Sequence, residues 1–390
     1  MRQRTVDHGR SRWAILLAGV VVMLALAVAG CGSTKSGGSG GGSASTGTVG
    51  GSSGGSTTKK GNYTIALSNS FLGNTWRQTM VKVFERTAQQ AQRQGLIKAY
   101  KVENTSDNTA TEQIAQIKSL ILQHVNAILI DAASPSSLNP TIQQACSAGI
   151  TVVVFDSLAT APCAYKLEDS IFQYGYDEGH FVAKAMGGKG TVLMVRGVVG
   201  SAPEAAIHAG QLKALHQFPH IKVVGNLIGQ ASDSVTQQAV AGALSSLPPI
   251  QGVVTGGSSL GAVQAFQSAG RPIPAVAFDN SGEGLRFWAN ELKKNPKYSA
   301  VSLRTEPGQA SAAFWLAMDV LQGQKVKNRI YTFPNLIITR KTLPMWLKAT
   351  PDGSVAAWLW TREETQKVIE DNLNGNTKNL PHPATPANLG

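Results

Sequence analysis

The sequence AGITVVVFD, residues 148–156, decides the fold. Its middle, Thr151–Phe155, is short, rich in β-branched residues and free of charge, and it ends at an acidic residue, Asp156. Such a stretch predicts a strand that is buried on both faces, because a strand with one wet face alternates apolar and polar residues. Residues 138–148, just before it, show the spacing of an amphipathic helix. A helix that leads into a buried strand is the building unit of a parallel α/β sheet.

The same unit recurs along most of the chain. We predict strands at 63–67, 99–102, 127–130, 151–155, 191–195, 223–228, 253–255, 275–278 and 299–303, with amphipathic helices between them. The body from Asn62 to Leu373 is longer than one hydrophobic core usually serves, and a second series of units begins after about Glu168. The sequence therefore predicts an α/β fold with two doubly wound parallel-sheet lobes.

In doubly wound sheets, ligands bind beyond the carboxyl ends of the strands. The segments at those ends in this chain are 68–76, 131–134, 156–157, 196–200, 255–258, 279–280 and 304–305. Three of them begin with an aspartate, Asp131, Asp156 and Asp279, and one ends with an aromatic residue, Trp76. A carboxylate accepts hydrogen bonds from neighbouring hydroxyls, while an aromatic ring packs against apolar C–H faces. This combination favours a sugar or polyol ligand, although an aspartate before a turn also serves as a helix N-cap.

The N-terminus has the layout of an export signal. Four arginines precede an apolar run at 14–29, and the small residues Val28-Ala29-Gly30 lead into Cys31. Cys31 at this position resembles the lipidated cysteine of bacterial lipoproteins, and an uncleaved transmembrane anchor is the alternative. We therefore expect a signal peptide at 1–30, a Gly/Ser-rich flexible tether at 31–61, and a protein lipid-anchored outside the cytoplasm, in the periplasm or at the cell surface.

The distribution of charged residues and the number of cysteines further limit the classes of protein to which this chain can belong. The formal net charge is +12, but the basic residues are scattered without interleaved aromatic residues, so we expect no nucleic-acid partner. Of the three cysteines, Cys146 and Cys163 remain after Cys31, and in an oxidising compartment they predict a disulfide, with two buried free thiols as the alternative. No metal site and no cofactor are expected.

The order of elements resembles the type I periplasmic binding proteins, and most nearly the ribose-like solute-binding proteins of ABC transporters. The resemblance covers 62–340 and is carried by seven motifs: Tyr63–Leu67, Gly73-Asn74-Thr75-Trp76, Ala127–Asp131, Ala148–Asp156, Ala269-Gly270, Ala275–Asp279 and Pro307-Gly308-Gln309. It implies two lobes joined by a three-stranded hinge, a ligand in the cleft between them, and docking on a membrane permease. On this basis we expect an N-terminal lobe at 62–168 plus 306–330, a C-terminal lobe at 169–305 plus 331–373, and a disordered tail at 374–390.

The resemblance also assigns ligand-binding residues. It implies that Asp156 and Asp279 accept hydrogen bonds from sugar hydroxyls and that Trp76 stacks on the sugar face. The remaining candidates occupy neighbouring family positions: Asn74, Ser157, Thr255, Asn280, Arg304 and Thr305. The chain departs from the family where an arginine is replaced by Ser157, where a second arginine falls near Ile207, and where an aromatic falls near Ser232; Arg304 is the candidate to replace one cation.

The interpretation is a monomeric solute-binding lipoprotein of an ABC importer that takes a monosaccharide or polyol and catalyses nothing. Two alternatives stay open. Gly257-Ser258-Ser259-Leu260-Gly261 fits the G-x-S-x-G motif of a hydrolase with Ser259 as nucleophile, although the only later histidine is His382 in a Pro-rich tail. A ligand-sensing receptor of the same fold is the other alternative.

Overall fold

The computed structural model describes residues 61–327, 330–377 and 379–387. The expected signal peptide, Cys31 and all of the expected tether except Gly61 lie outside the described residues. Among the helices that the structure describes, none combines the length and the apolar character needed to cross a membrane.

The chain alternates strands and helices through most of its length. The strands are β1 (Thr64–Asn69), β2 (Ala99–Asn104), β3 (Ala127–Asp131), β4 (Thr151–Phe155), β5 (Tyr165–Asp169), β6 (Lys189–Arg196), β7 (His220–Ile228), β8 (Gly252–Val254), β9 (Ser302–Arg304), β10 (Ile330–Phe333) and β11 (Leu336–Ile338). The helices are α1 (Thr75–Arg93), α2 (Ala110–Leu122), α3 (Asn139–Ser147), α4 (Ile171–Ala185), α5 (Ala202–Leu215), α6 (Asp233–Ala243), α7 (Ser259–Ser268), α8 (Gly282–Lys294), α9 (Gln309–Leu321), α10 (Leu343–Ala349) and α11 (Arg362–Leu373).

The first lobe is built on a parallel sheet in the order β10-β5-β4-β3-β1-β2. Its central strands β1, β3 and β4 are largely buried because helices cover both faces of the sheet there. Ile65 and Leu67 belong to a core shared with α1 and α9, whereas Ala66 belongs to a separate core with α2 and α3. Residues 309–319 of α9 are all buried, as expected for a helix enclosed on every side.

The second lobe contains the strands β7-β6-β8, which pair in parallel. Single bridges extend this sheet through residues 275–278 to β9, and β11 then pairs antiparallel with β9. The predicted strand at 275–278 is therefore present only as a bridging segment, joined to β8 at Ala275 and to β9 at Phe278. The prediction of a two-lobed α/β fold with parallel sheets is confirmed.

The three expected connections between the lobes are accompanied by a fourth. The chain crosses after β5, between β9 and α9, and between β10 and β11, and it crosses a fourth time at 350–361. In this last crossing, Val355 bridges to Ser281 of the second lobe and donates its N–H to Thr79 Oγ1 of the first lobe. Residues 331–333 were assigned to the second lobe, but they pair with β5 in the first sheet, and α11 packs on α9 and β10.

The C-terminal tail also differs from the prediction of disorder. In the part that the structure describes, the ring of His382 stacks on Trp358 with a centroid distance of 4.7 Å, and Pro386 forms a bridge to Trp358. The Ala387 N–H donates to the Ala357 carbonyl at 2.7 Å. The Pro-rich sequence predicts a disordered tail, but in the structure the rings and backbone of the tail contact residues of the fourth crossing.

Cys146 at the end of α3 and Cys163 before β5 are bonded to each other in the structure. They lie 17 positions apart and pack at the edge of the core that covers the outer face of the first sheet. The bond joins the loop after β4 to helix α3, which precedes β4.

Reduction of this bond is expected to lower the melting temperature of the full-length protein. Closing a loop of this length stabilises a fold by about 3 kcal/mol, because it restricts the unfolded chain. Thermal unfolding followed by circular dichroism with and without reductant measures the effect. The Cys146→Ser/Cys163→Ser double variant is the control and should not respond to reductant. Equal melting of the wild-type protein under both conditions contradicts a stabilising disulfide.

Candidate functional site

A cleft lies where the carboxyl ends of the strands in the two lobes face each other. One end of the cleft is lined by Phe71, Asn74, Trp76, Arg77, Asn108, Asp156, Tyr174, Gly197, Val198, Ser201, Pro203, Glu204, Ile207, Ala231, Gly256, Arg304 and Thr305. The other end shares Asn74, Trp76, Ala231 and Arg304 and continues along Ser232, Asp233, Gly257, Asp279, Ser281 and Glu283. The first lobe, the crossings and the second lobe thus all contribute to one cleft.

A buried arginine organises the first-lobe side of the cleft. Arg77, in the first turn of α1, forms an ion pair with Asp131 at the end of β3. Its Nη2 also lies 3.4 Å from Asp156 Oδ2, just after β4, and its Nη1 donates to Asn69 Oδ1 at 3.0 Å. Burial raises the pKa of Asp156, and the nearby Arg77 and Arg304 guanidinium groups act in the opposite direction. Asp156 therefore faces the cleft as one carboxylate of a compensated cluster.

The start of α1 fixes two further cleft residues. The Asn74 side chain caps the helix by accepting the Arg77 N–H at 2.8 Å. The indole Nε1 of Trp76 donates to the Thr305 carbonyl at 3.0 Å, which ties the ring to a crossing between the lobes. Because its polar atom is already satisfied, Trp76 offers the cleft mainly its ring.

The second-lobe side is arranged around Asp279 and Arg304. Arg304 Nη1 donates to the Gly257 carbonyl at 2.9 Å and lies 3.5 Å from Asp279 Oδ2. Ser281 Oγ donates to the other oxygen of Asp279 at 2.8 Å. The neighbouring Asp233 has a pKa raised to about 7 by burial and by the Asp279 charge, and its Oδ1 accepts the Gly261 N–H at 2.8 Å.

A buried carboxyl group, that of Glu178, stabilises the second-lobe side of the cleft. Glu178 on α4 accepts the Thr255 N–H and the Gln211 side-chain N–H, both at 2.7 Å. Complete burial raises the pKa of Glu178 to about 8. The Tyr174 hydroxyl, one turn earlier, has its pKa raised by burial and by the Glu178 charge. Glu178 thereby fixes the end of β8, where the loop to α7 turns toward the cleft.

Six of the nine predicted ligand-binding residues line the cleft: Asn74, Trp76, Asp156, Asp279, Arg304 and Thr305. The other three do not line it. Ser157 is buried and its carbonyl accepts the Ala132 N–H, while Thr255 Oγ1 accepts N–H groups of Gly257 and Ser258. The Asn280 side chain bonds to Ser302 and to the Leu336 carbonyl. These three shape the backbone around the site, and contact of the other six with a ligand stays a prediction.

Three cleft residues are not among the predicted ligand-binding residues: Arg77, Asn108 and Phe71, of which Phe71 lies within the predicted strand-end segment 68–76. Arg77 had a signal, since it shares a helix face with Val81, Phe84 and Ala88 at spacings of four, seven and eleven positions. A charged residue on the apolar face of a helix requires a buried partner. Asn108 lies in the loop before α2, and Phe71 follows β1; neither position showed a pattern that marks it.

Strained backbone clusters at the cleft. Asn108, Asp156 and Ala231 line it and have φ values of 60°, 53° and 50°. Residues other than glycine rarely adopt this left-handed region, and Ala231 has no polar side chain that could offset the strain with a local hydrogen bond. Strain of this kind concentrates at ligand sites, where the surrounding structure holds it in place.

The geometry does not support a hydrolase at Ser259. Ser259 is the first residue of α7, is buried, and its Oγ has no hydrogen-bond partner in the described part of the chain. His382, the histidine that could have served as its base, stacks instead on Trp358. A serine nucleophile requires a base within hydrogen-bond reach.

Comparisons with known proteins agree with this geometry. Residues 65–325 match the periplasmic binding protein domain family. The crystal structure of an ABC transporter solute binding protein from Thermobispora bispora is 43% identical with a TM-score of 0.78, and the match covers 83% of this chain and 100% of that chain. A xylitol-binding protein of Mycolicibacterium smegmatis is 29% identical over 237 residues, which is 59% of this chain and 66%, just under two thirds, of that protein. A ribose import binding protein of Bacillus subtilis is 26% identical over 277 residues, 70% of this chain and 86% of that protein.

Replacement of Arg77 tests the buried cluster. Arg77→Met removes the ion-pair partner of Asp131 and the nearer of the two cations that act on Asp156, and breaking a buried pair in this way costs about 3–5 kcal/mol of unfolding free energy. The loss should grow as the pH rises, because the two carboxyl groups then ionise without a partner. Urea unfolding at acidic and neutral pH measures it. Arg86→Met, on the exposed side of the same helix, is the matched control and should change stability by less than about 0.5 kcal/mol; equal effects of the two variants contradict the assignment.

The raised pKa of Glu178 predicts a pH dependence of stability. Between its ordinary pKa and the folded value of about 8, the native state holds a proton that the unfolded state has released. Its contribution is therefore complete at acidic pH and is lost as the pH rises through about 8, with a slope of up to about 1.4 kcal/mol per pH unit. Unfolding free energies from pH 5 to 8 should fall more steeply for the wild type than for Glu178→Gln, and parallel profiles would falsify the assignment.

Proposed function

The chain belongs to the periplasmic binding protein family, and from this premise we propose that it binds a monosaccharide or polyol in the inter-lobe cleft for uptake through an ABC permease. The family consists of ligand-binding proteins, so the chain is a binding protein and not an enzyme. The observation that carries the proposal is the pair of cleft carboxylates, Asp156 from the first lobe and Asp279 from the second, with the Trp76 ring beside them.

The cleft chemistry supports a neutral, hydroxyl-rich ligand. Asp156 and Asp279 each lie close to an arginine, so the cleft offers acceptors and donors in compensated pairs. A hydrogen bond from a hydroxyl to a charged partner contributes about 1.5–3 kcal/mol. The Trp76 ring provides a surface for the C–H groups between the hydroxyls. Because one aspartate comes from each lobe, a ligand that bonds to both favours the closed arrangement.

The relatives support the ligand class and the partner. The xylitol-binding and ribose import binding proteins bind a polyol and a sugar by their names, and together with the match to an ABC transporter solute binding protein they support uptake as the role. We extend this to a monomer held at the outer side of the cell membrane by a lipid on Cys31, as the signal-like N-terminus suggests.

Thermal unfolding of the full-length protein against a panel of sugars and polyols tests the proposal. The panel contains xylitol, D-ribose, D-xylose, L-arabinose, D-galactose and myo-inositol, with amino acids and nucleosides as comparison classes. A ligand present at 100 times its Kd stabilises the fold by about 2.7 kcal/mol, which appears as a rise in Tm. A rise with sugars or polyols supports the proposal, and a rise only with amino acids or nucleosides contradicts it.

Asp279→Ala is expected to weaken binding of the active ligand at least tenfold, about 1.4 kcal/mol. The reason is the loss of a charged acceptor in the cleft. Ser259→Ala is the control, because Ser259 is buried outside the cleft-lining set and should leave Kd unchanged. Isothermal titration calorimetry measures both. An unchanged Kd for Asp279→Ala removes this residue from the site.

A further inference from the structure

The two lobes present different chemistry to the end of the cleft that contains Asp156. On the first-lobe side polar side chains, among them Asn74, Arg77 and Asn108, lie beside the aromatic rings of Phe71 and Trp76. On the second-lobe side the wall is formed mainly by apolar side chains and glycine backbone: Gly197, Val198, Pro203, Ile207, Ala231 and Gly256. A ligand held here is therefore hydrogen-bonded on one side and faces apolar atoms on the other.

Two polar side chains of the second lobe at this end, Glu204 and Ser201, already have hydrogen-bond partners. Glu204 receives both Nε and Nη2 of Arg196, the latter at 2.7 Å. Ser201 Oγ accepts the Glu204 N–H at 3.3 Å as the cap of α5. The other second-lobe carboxyl groups that line the cleft, Asp233, Asp279 and Glu283, lie at its other end.

Ile207 is held firmly at the centre of this wall. It lies on α5 and packs in a small cluster with Tyr174 and Leu303. Its own carbonyl is in close contact with Gly175 of α4, where a Cβ atom would lie only 2.1 Å from the oxygen. Helices α4 and α5 thus touch backbone to backbone, which fixes the position of the Ile207 backbone in this wall.

We propose that the ligand of this protein carries a methyl or methylene group where ordinary sugars carry a hydroxyl, so that it is a deoxy sugar or a deoxy polyol. This inference rests on the proposed function and specifies its ligand class. A hydroxyl placed against Ile207, Val198 and Pro203 loses its water and gains no partner there. A methyl group in the same place is removed from water at no such cost.

Matched pairs of sugars that differ by one hydroxyl test the inference. The pairs are L-fucose with L-galactose, L-rhamnose with L-mannose, and 5-deoxy-D-ribose with D-ribose. Isothermal titration calorimetry on the full-length protein gives the ratio of the two Kd values for each pair. In at least one pair the deoxy member should bind at least tenfold more tightly than its hydroxylated counterpart.

Two substitutions locate the source of the preference. Ile207→Thr keeps the branched Cβ, removes the terminal methyl group and introduces a hydroxyl into the wall, and it should reduce the Kd ratio to threefold or less. Ile171→Thr is the matched control, because Ile171 packs on the same cluster without lining this end of the cleft, and it should leave the ratio unchanged. If Ile207→Thr does not fold by circular dichroism, Val198→Thr, on the loop before α5, takes its place.

The outcomes separate this inference from the proposed function. A deoxy preference that falls in Ile207→Thr and persists in Ile171→Thr supports it. Binding of the hydroxylated members, or of the fully hydroxylated panel alone, with equal or greater affinity overturns the inference and leaves the proposed function standing. Absence of binding by every sugar and polyol overturns both.

Discussion

The arrangement of the first lobe depends on one buried guanidinium group. Arg77 compensates Asp131 and Asp156, which follow neighbouring strands of the sheet, and it also bonds to Asn69 at the end of β1. Each of these carboxyl groups would be costly to bury alone. The same residue lies directly after Trp76 and donates its backbone N–H to Asn74. The start of α1, the ends of the strands and the polar floor of the cleft are therefore fixed together.

The sequence was most informative where the physical signal was local. Short β-branched runs such as Thr151–Phe155 identified the strands, because burial on both faces leaves no other pattern. Strand ends then located Asp156 and Asp279 at the cleft. Pairing between distant segments has no local signal, so the predicted lobe boundary after residue 330 places residues 331–333 of β10 in the wrong lobe, and the fourth crossing is not predicted.

Side-chain roles were harder to predict than positions. Thr255 and Asn280 follow strands just as Asp156 and Asp279 do, yet they bond to backbone and to Ser302 instead of facing the cleft. Whether a polar side chain at a strand end turns inward or outward depends on tertiary partners that one sequence does not show. The departures from the family at Ser157 and Ile207 were visible in the sequence, but only the structure shows that Arg77 supplies a cation on one side and that Ile207 makes the other side apolar.

The ordered C-terminal tail gives the fourth crossing an optical property. Trp358 lies in that crossing and donates its backbone N–H to Glu306 of another crossing. The His382 ring stacks on the Trp358 indole at an interplanar angle of 10°. Trp360, its neighbour along the chain, donates to the same carboxylate. Trp358 also packs against Trp346 of α10 in the second lobe, so we expect rotation of one lobe against the other to change the surroundings on which the emission of the Trp358 indole depends. The intrinsic tryptophan fluorescence of the protein is therefore expected to report rotation at the hinge without an attached label.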